Sequence, residues 1–295
     1  MPWLQLHIVT NRSGAEAIED ALLDSGAVSV SMSDDADTPV LEPGVGETPL
    51  WDNVKVTALY EAEDNSDAIS EQLCAALDIP PQRLAWEILE DQPWERAWMD
   101  HFEPIRCGER LWICPSWKEP PEPDAVNLIL DPGLAFGTGT HPTTFLCLQW
   151  LDSLDLKGKT VVDYGCGSGI LGIAALLLGA QRVIAIDNDP QALIASRDNL
   201  ARNNLGDECL DTYLPGEIPV LEADIVIANI LAGPLVSLSA GIAALTKNGG
   251  LLCLSGIMPH QADDVQAAYD GFAFTPRTVR DDWVRLDARK TGQAC

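Results

Sequence analysis

Asp163-Tyr164-Gly165-Cys166-Gly167-Ser168-Gly169 follows the apolar run Thr160-Val161-Val162. A second apolar run, Arg182-Val183-Ile184-Ala185-Ile186, ends at Asp187, eighteen residues after the last of these glycines. A strand that runs into a tight glycine turn at a helix start lets a ligand approach bare backbone. An acidic residue at the tip of the neighbouring strand can then accept both hydroxyls of a ribose. The spacing narrows the choice of ligand. A dinucleotide fingerprint needs its third glycine five positions after the first, where this chain has Ile170. Here the third glycine comes four positions after, so the turn reads G-x-G-x-G.

Outward from this turn the chain alternates short apolar runs with helical periodicity. Strands are expected at 126–130, 160–163, 182–187, 209–213, 224–228, 251–255, 273–279 and 283–287, and helices at 142–151, 170–178, 190–203, 234–245 and 259–269. Such alternation predicts an α/β fold with a doubly wound, mostly parallel sheet covered on both faces. The last two strands follow each other after a short turn and are expected to pair antiparallel. Residues 1–90 read differently, as βαββαβ: strands at 3–9, 27–32, 54–60 and 84–89 with helices at 15–24 and 66–77. That order predicts a smaller α+β, ferredoxin-like domain. Between the two, 91–125 reads as a linker. It carries Trp94 and Trp98 on one face of a short helix, two short strands around 107–114, and a proline-dense loop over 115–123. The large domain is expected over 126–295.

Composition bounds the function. The formal charge of −27 and pI near 4.2 oppose direct binding to nucleic acid phosphates. Residues 1–90 hold eighteen Asp or Glu against three Lys or Arg, an excess of fifteen. Two readings of that excess stand side by side: a basic partner, or an acidic surface that serves solubility. No run approaches the length of a membrane span, and the N-terminal residues lack the regions of a signal peptide, so a cytoplasmic protein is expected. The eight cysteines occur singly, without a C-x-x-C pair or a histidine cluster, so no metal site and no disulfide framework is expected.

In an open α/β sheet the ligand lies outside the carboxyl ends of the strands, and four local sequences converge there. The glycine turn is one. Asp187 is the second, although alone it would equally serve as a cap for the helix at Pro190. The third is the loop from Asp131 to Thr144, with glycines at 133, 137 and 139. Thr140 and Pro142 there suggest a helix start whose free amides, with the Thr143 or Thr144 hydroxyl, can meet a carboxylate. His141 in this loop reads as a local hydrogen-bonding group rather than a base. The fourth is Ala228-Asn229-Ile230-Leu231-Ala232, where Asn229 offers an amide oxygen at the end of a strand; by itself it is equally a turn residue. Together the four describe a pocket for S-adenosylmethionine, which has a ribose, a carboxylate and no pyrophosphate. Methyl transfer to nitrogen needs a neutral amine with its lone pair aimed at the sulfonium methyl, so acceptors for the amine N–H groups matter more than a strong base. Asn229 is the candidate for that task.

With these residues, the chain resembles the methyltransferases that modify ribosomal protein eleven of the large subunit. The resemblance is carried by Trp94-Glu95-Arg96 with Trp98-Met99-Asp100, by the run from Arg110 to Trp117, by the Asp131–Thr144 loop, by Asp163–Gly169 and by Asn229–Pro234. It implies a class I methyltransferase domain preceded by a ferredoxin-like domain that recognises the ribosomal substrate. It further implies trimethylation of lysine side chains and of the N-terminal α-amine. Carried over by motif, Thr144, Gly165, Asp187 and Asn229 should contact S-adenosylmethionine, with Gly167, Phe136 and Gly137 as further contacts. The partner is then a basic ribosomal protein, consistent with the acidic N-terminal third, and a monomer is expected. Two other readings remain: methylation of a glutamine amide or small amine, for which the usual N-P-P-Y is absent because Ile230 and Leu231 replace both prolines, and a scaffold that binds the cofactor without catalysis.

Overall fold

The computed structural model describes residues 2–36, 50–90, 102–131 and 139–292, and the chain divides into two compact units, Met1–Met99 and Asp100–Cys295. In the first unit the order is strand β1 (Trp3–Asn11), helix α1 (Ala15–Asp24), strands β2 (Ser29–Asp34) and β3 (Asn53–Glu61), helix α2 (Ser66–Leu77) and strand β4 (Ala85–Leu89). All pairings are antiparallel and the sheet runs β2-β3-β1-β4, the ferredoxin-like arrangement. Period-two alternation makes it. Val54, Val56, Ala58 and Tyr60 of β3 are fully buried and meet Ile18 and Leu22 of α1 and Ile69 and Leu73 of α2 in one core. Helix α2 starts where the Asn65 side chain accepts the N–H groups of Asp67 and Ala68.

The second unit holds two sheets. The smaller joins β5 (Ile105–Arg106), β6 (Leu111–Cys114) and β7 (Val126–Ile129), with β6 and β7 parallel. This corrects the expectation that 126–130 belongs to the large sheet. An apolar run does not encode which edge it joins, and Leu111-Trp112-Ile113-Cys114 offers one. Leu111, Ile113 and Leu128 thereby fill the same core as helix α3 (Pro142–Asp152).

The large sheet runs β10-β9-β8-β11-β12-β15-β13, with β14 paired to β15. Its strands are β8 (Thr160–Tyr164), β9 (Arg182–Ile186), β10 (Leu210–Tyr213), β11 (Ala223–Asn229), β12 (Thr246–Ile257), β13 (Phe272–Phe274), β14 (Thr278–Arg280) and β15 (Trp283–Lys290). The first five are parallel, while β15 is antiparallel to β12, β13 and β14. Helices cover both faces, as the residue-by-residue split of the strands demands. Val161, Val183, Ala185, Ile225 and Ile227 enter one core with α3, α4 (Ile170–Leu177) and α5 (Pro190–Arg202). Val162, Ile184, Ile186, Val226 and Ala228 enter the other with α6 (Ala232–Ser237), α7 (Ser239–Leu245) and α8 (Ala262–Ala267).

Three expected elements divide. The helix over 234–245 becomes α6 and α7, broken at Leu238, in a stretch whose glycines and serines hold a helix weakly. The helix over 259–269 becomes a 3₁₀ turn, Pro259–Gln261, and then α8. The strand over 273–279 becomes β13 and β14, with Pro276, which has no N–H to donate to a ladder, between them. Among the described residues, no helix is long and apolar enough to cross a membrane. Trp94 and Trp98 lie outside the described residues.

Candidate active site

Strand register alone brings three of the expected residues into a row. Tyr164 is level with Ile186 on β9 and with Ala228 on β11, so the residues that follow, Asp187, Gly165 and Asn229, stand side by side at the carboxyl edge. At about 4.8 Å per strand the row spans roughly 10 Å. Parallel strands end on one side of a sheet, and this is where helix starts leave backbone groups available.

The turn after β8 is built from main chain. The N–H groups of Gly165 and Cys166 both donate to the Ile186 carbonyl, at 2.7 and 3.1 Å, hooking the turn onto the end of β9. Gly165 adopts φ +76°, and a Cβ there would run into Ile230. Only glycine fits this position, since both the conformation and the space exclude a side chain. From α5, Ser196 Oγ donates to the Gly167 carbonyl at 3.1 Å and Asn199 Nδ2 to the Ser168 carbonyl at 2.9 Å. The turn is therefore fixed from behind by α5.

Asp187 is tied to that turn. Its carboxylate accepts the Gly167 N–H at 2.9 Å on one oxygen and the Asp189 N–H at 3.0 Å on the other. Each oxygen keeps a lone pair for a ligand hydroxyl. Asp163, at the end of β8, is 1% exposed; one oxygen accepts the Gly172 N–H at 2.9 Å and the other has no hydrogen-bond partner among the described residues. Burial, and then the neighbouring Asp187 charge, push its carboxyl up to about 7 against the pull of the Gly172 hydrogen bond. Burial likewise pushes the Cys166 thiol up, which keeps it protonated and inert. Among the described residues, neither Asp163 nor Asp187 is ion-paired. The Asp187 carboxylate beside a glycine turn suits a ribose-bearing ligand such as S-adenosylmethionine.

On the other side, α3 presents Thr144, 1% exposed, whose hydroxyl accepts from Asn229 Nδ2 at 3.3 Å. The amide nitrogen is thereby turned toward Thr144. With its nitrogen spent on Thr144, Asn229 keeps its carbonyl oxygen as the acceptor, and among the described residues no donor approaches it. Thr143 is engaged elsewhere, its hydroxyl 2.7 Å from His141 Nδ1. His141 caps α3, its Nδ1 receiving the Thr143 N–H at 3.3 Å, and burial pulls its pKa down. Phe136 and Gly137 lie outside the described residues. Asp163 was not among the residues singled out from sequence. Its place at the head of the glycine motif was visible, but its complete burial is a property of the packed sheet.

With β15 inserted antiparallel between β12 and β13, the strand order is that of the class I S-adenosylmethionine-dependent methyltransferases. Comparison with known proteins narrows the class. A family model described as "Ribosomal protein L11 methyltransferase (PrmA)" matches residues 2–291. A ribosomal protein L11 methyltransferase of Cellvibrio japonicus is 56% identical over 292 residues, covering 98% of this chain and 99% of that protein. One of Pseudomonas aeruginosa is 53% identical over 293 residues, covering 98% and 99%. The crystal structure of a ribosomal protein L11 methylase from Lactobacillus delbrueckii subsp. bulgaricus superposes with a TM-score of 0.59 at 32% identity, covering 64% of this chain and 100% of that one. The chain belongs to the ribosomal protein L11 methyltransferase family.

Proposed function

We propose that the protein transfers methyl groups from S-adenosylmethionine to lysine ε-amines and the N-terminal α-amine of ribosomal protein L11, in the cytoplasm. Its cofactor contacts would be Thr144, Gly165, Asp187 and Asn229, with Gly167, Phe136 and Gly137 as further contacts. The observation that carries this reading is the row Asp187, Gly165, Asn229, in which the Asn229 amide is turned so that its oxygen remains an acceptor. The acidic excess of residues 1–90 supports a basic protein as the substrate recognised by the first unit.

The cofactor, when bound, supplies an electrophilic methyl group on a sulfonium. Asp187 would hold the ribose hydroxyls, and the glycine turn would let the adenosyl group lie against main chain. The Asn229 oxygen accepts one N–H of the incoming amine and so directs its lone pair along the axis of displacement. The chemistry the bound cofactor would supply is in-line displacement at its methyl carbon, with the sulfonium sulfur as leaving group and the surplus proton on nitrogen passing to water. Only a neutral amine can attack. A lysine amine titrates near 10.4 and an α-amine near 8, so at neutral pH lysine is the poorer nucleophile by population.

Single-turnover rates on lysine should therefore climb by about tenfold per pH unit from pH 7 until the bound amine titrates. A flat profile between pH 7 and 10 with chemistry rate-limiting would remove the picture of an amine deprotonated before attack. Mass spectrometry of ribosomal protein L11 after incubation with labelled cofactor identifies the amines; label on a glutamine amide instead would replace this reading.

A further inference from the structure

The first turns of α3 are held from one side by a set of contacts that neither the cofactor nor the acceptor amine requires. The Trp283 ring meets the His141 ring edge-on with centroids 5.0 Å apart. Ser255 Oγ on β12 donates to the Thr143 carbonyl at 3.2 Å. The Arg280 guanidinium lies 3.6 Å from the centre of the Phe145 ring. Arg285 Nη1 donates to the Leu146 carbonyl at 2.5 Å. Three of the four come from β14 and β15, the antiparallel hairpin beside the parallel strands.

Arg285 is the odd one among them. It is 7% exposed, it grips Asp287 through two bonds of 2.8 and 2.9 Å, and its Nη2 also donates to Thr278 at 3.2 Å. The thiols of Cys147 on α3 and Cys253 on β12, 3.9 Å apart, lie in the same interior. A well-packed apolar pair would stabilise such a place as well as or better than a buried ion pair does. What an apolar pair lacks is a directional bond to the helix. Inside an α-helix the Leu146 carbonyl already accepts an N–H from four residues on, and Arg285 takes its second lone pair. That bond fixes α3 lengthwise. A slide of one residue along the axis, about 1.5 Å, would break the 3.3 Å bond between Thr144 and Asn229.

We propose that Arg285, locked by Asp287, is a positioning residue that sets α3 in register with β11 so that Thr144 orients Asn229. This rests on the reading of Asn229 as the residue that meets cofactor and amine. The test is the paired variant Arg285→Met/Asp287→Leu in the full chain, with Tm, calorimetric Kd for S-adenosylmethionine and single-turnover rate measured together. The Tm should hold or rise, the Kd should weaken roughly fivefold, and the methylation rate should fall on the order of tenfold or more, because orientation is what is lost.

Unchanged Kd and rate at an unchanged Tm overturn the proposal. Should the paired variant lose its Tm, Asp287→Asn decides. It keeps the side chain's shape but leaves one oxygen to accept from Arg285 in place of two, and a rate that stays at the unmodified level with Tm intact refutes the positioning role. Asn229→Ala in the same assays separates the two claims. If it lowers the rate while the paired variant does not, the positioning role alone falls; if it leaves rate and Kd untouched, the site reading falls and takes the proposal with it.

Discussion

The two sides of the carboxyl edge are built by different means. On the β8–β9 side the surface is main chain and carboxyl groups: Gly165 and Gly167 hooked to β9, Asp187 tied into the turn, Asp163 beneath it. All of it lies within 25 residues of sequence. On the β11–α3 side the surface is neutral side-chain chemistry, Asn229 on Thr144, joined across 85 residues and steadied by Arg285 across 139. The first side can hold a ligand by itself, since a glycine turn with little side chain and a carboxylate need no partner from elsewhere. The second side adds the Thr144 and Asn229 contacts proposed above and also aims the acceptor. Affinity should thus concentrate on one side and rate on the other.

The largest expected effect probes whether charge belongs to the turn side. Asp163 has a carboxyl raised to about 7 in the folded protein, against 3.8 ordinarily. Its neutral form is the one the fold favours, so this contribution to stability is fully present below about 3.8 and is lost as pH rises through about 7. Between pH 5 and pH 8 the loss amounts to about 3 kcal/mol. Asp163→Asn can retain the Gly172 bond through its amide oxygen and has no proton to lose. Denaturant unfolding of the two proteins without cofactor should show the variant gaining by about that amount relative to the parent across this range. A stability difference independent of pH would mean that Asp163 does not titrate there, and the carboxyl would have to be treated as charged throughout.

Next comes Asp187. Truncation removes the acceptor for ribose hydroxyls and releases the Gly167 amide. Asp187→Ala should weaken S-adenosylmethionine binding by about 2 kcal/mol, roughly thirtyfold in Kd by calorimetry. The maximal methylation rate at saturating cofactor should change far less. An equal loss in rate would blur the division between a holding side and an aiming side, because Asp187 would then be acting on the reacting atoms.

The same division explains what the sequence disclosed. The glycine turn and Asp187 were legible because a main-chain site is encoded by local spacing, and the cores followed from alternation such as Val161 inward to one face and Val162 to the other. The β11–α3 side was legible only as separate fragments. Thr144 and Asn229 each suit several local roles, and their hydrogen bond exists only after the sheet sets their strands and helix in place. Arg285 left no signal at all, since an arginine in a strand reads from sequence as a solvent-facing residue, and its burial depends on Asp287, Thr278 and the Leu146 carbonyl arriving together. The placement of β7 in the small sheet failed for a related reason: periodicity specifies a strand but not its neighbour.

The smallest effect is the sharpest test of the aiming side. Thr144→Val keeps the shape of the side chain and removes the hydroxyl that accepts from Asn229 Nδ2 at 3.3 Å. The helix stays capped by His141 and anchored by Ser255 and Arg285, so the fold should be little changed. What changes is rotation of the Asn229 amide, which becomes free to present its NH₂ where its oxygen should be. A single neutral hydrogen bond is worth about 1 kcal/mol, so the single-turnover rate should fall roughly fivefold while the Kd for cofactor moves less than that. The deficit should be the same at every pH below the amine's titration, because orientation rather than proton loss is impaired. If Kd absorbs the whole change and the rate does not move, Thr144 belongs with Asp187 as a holding group, and the contrast between the two sides disappears.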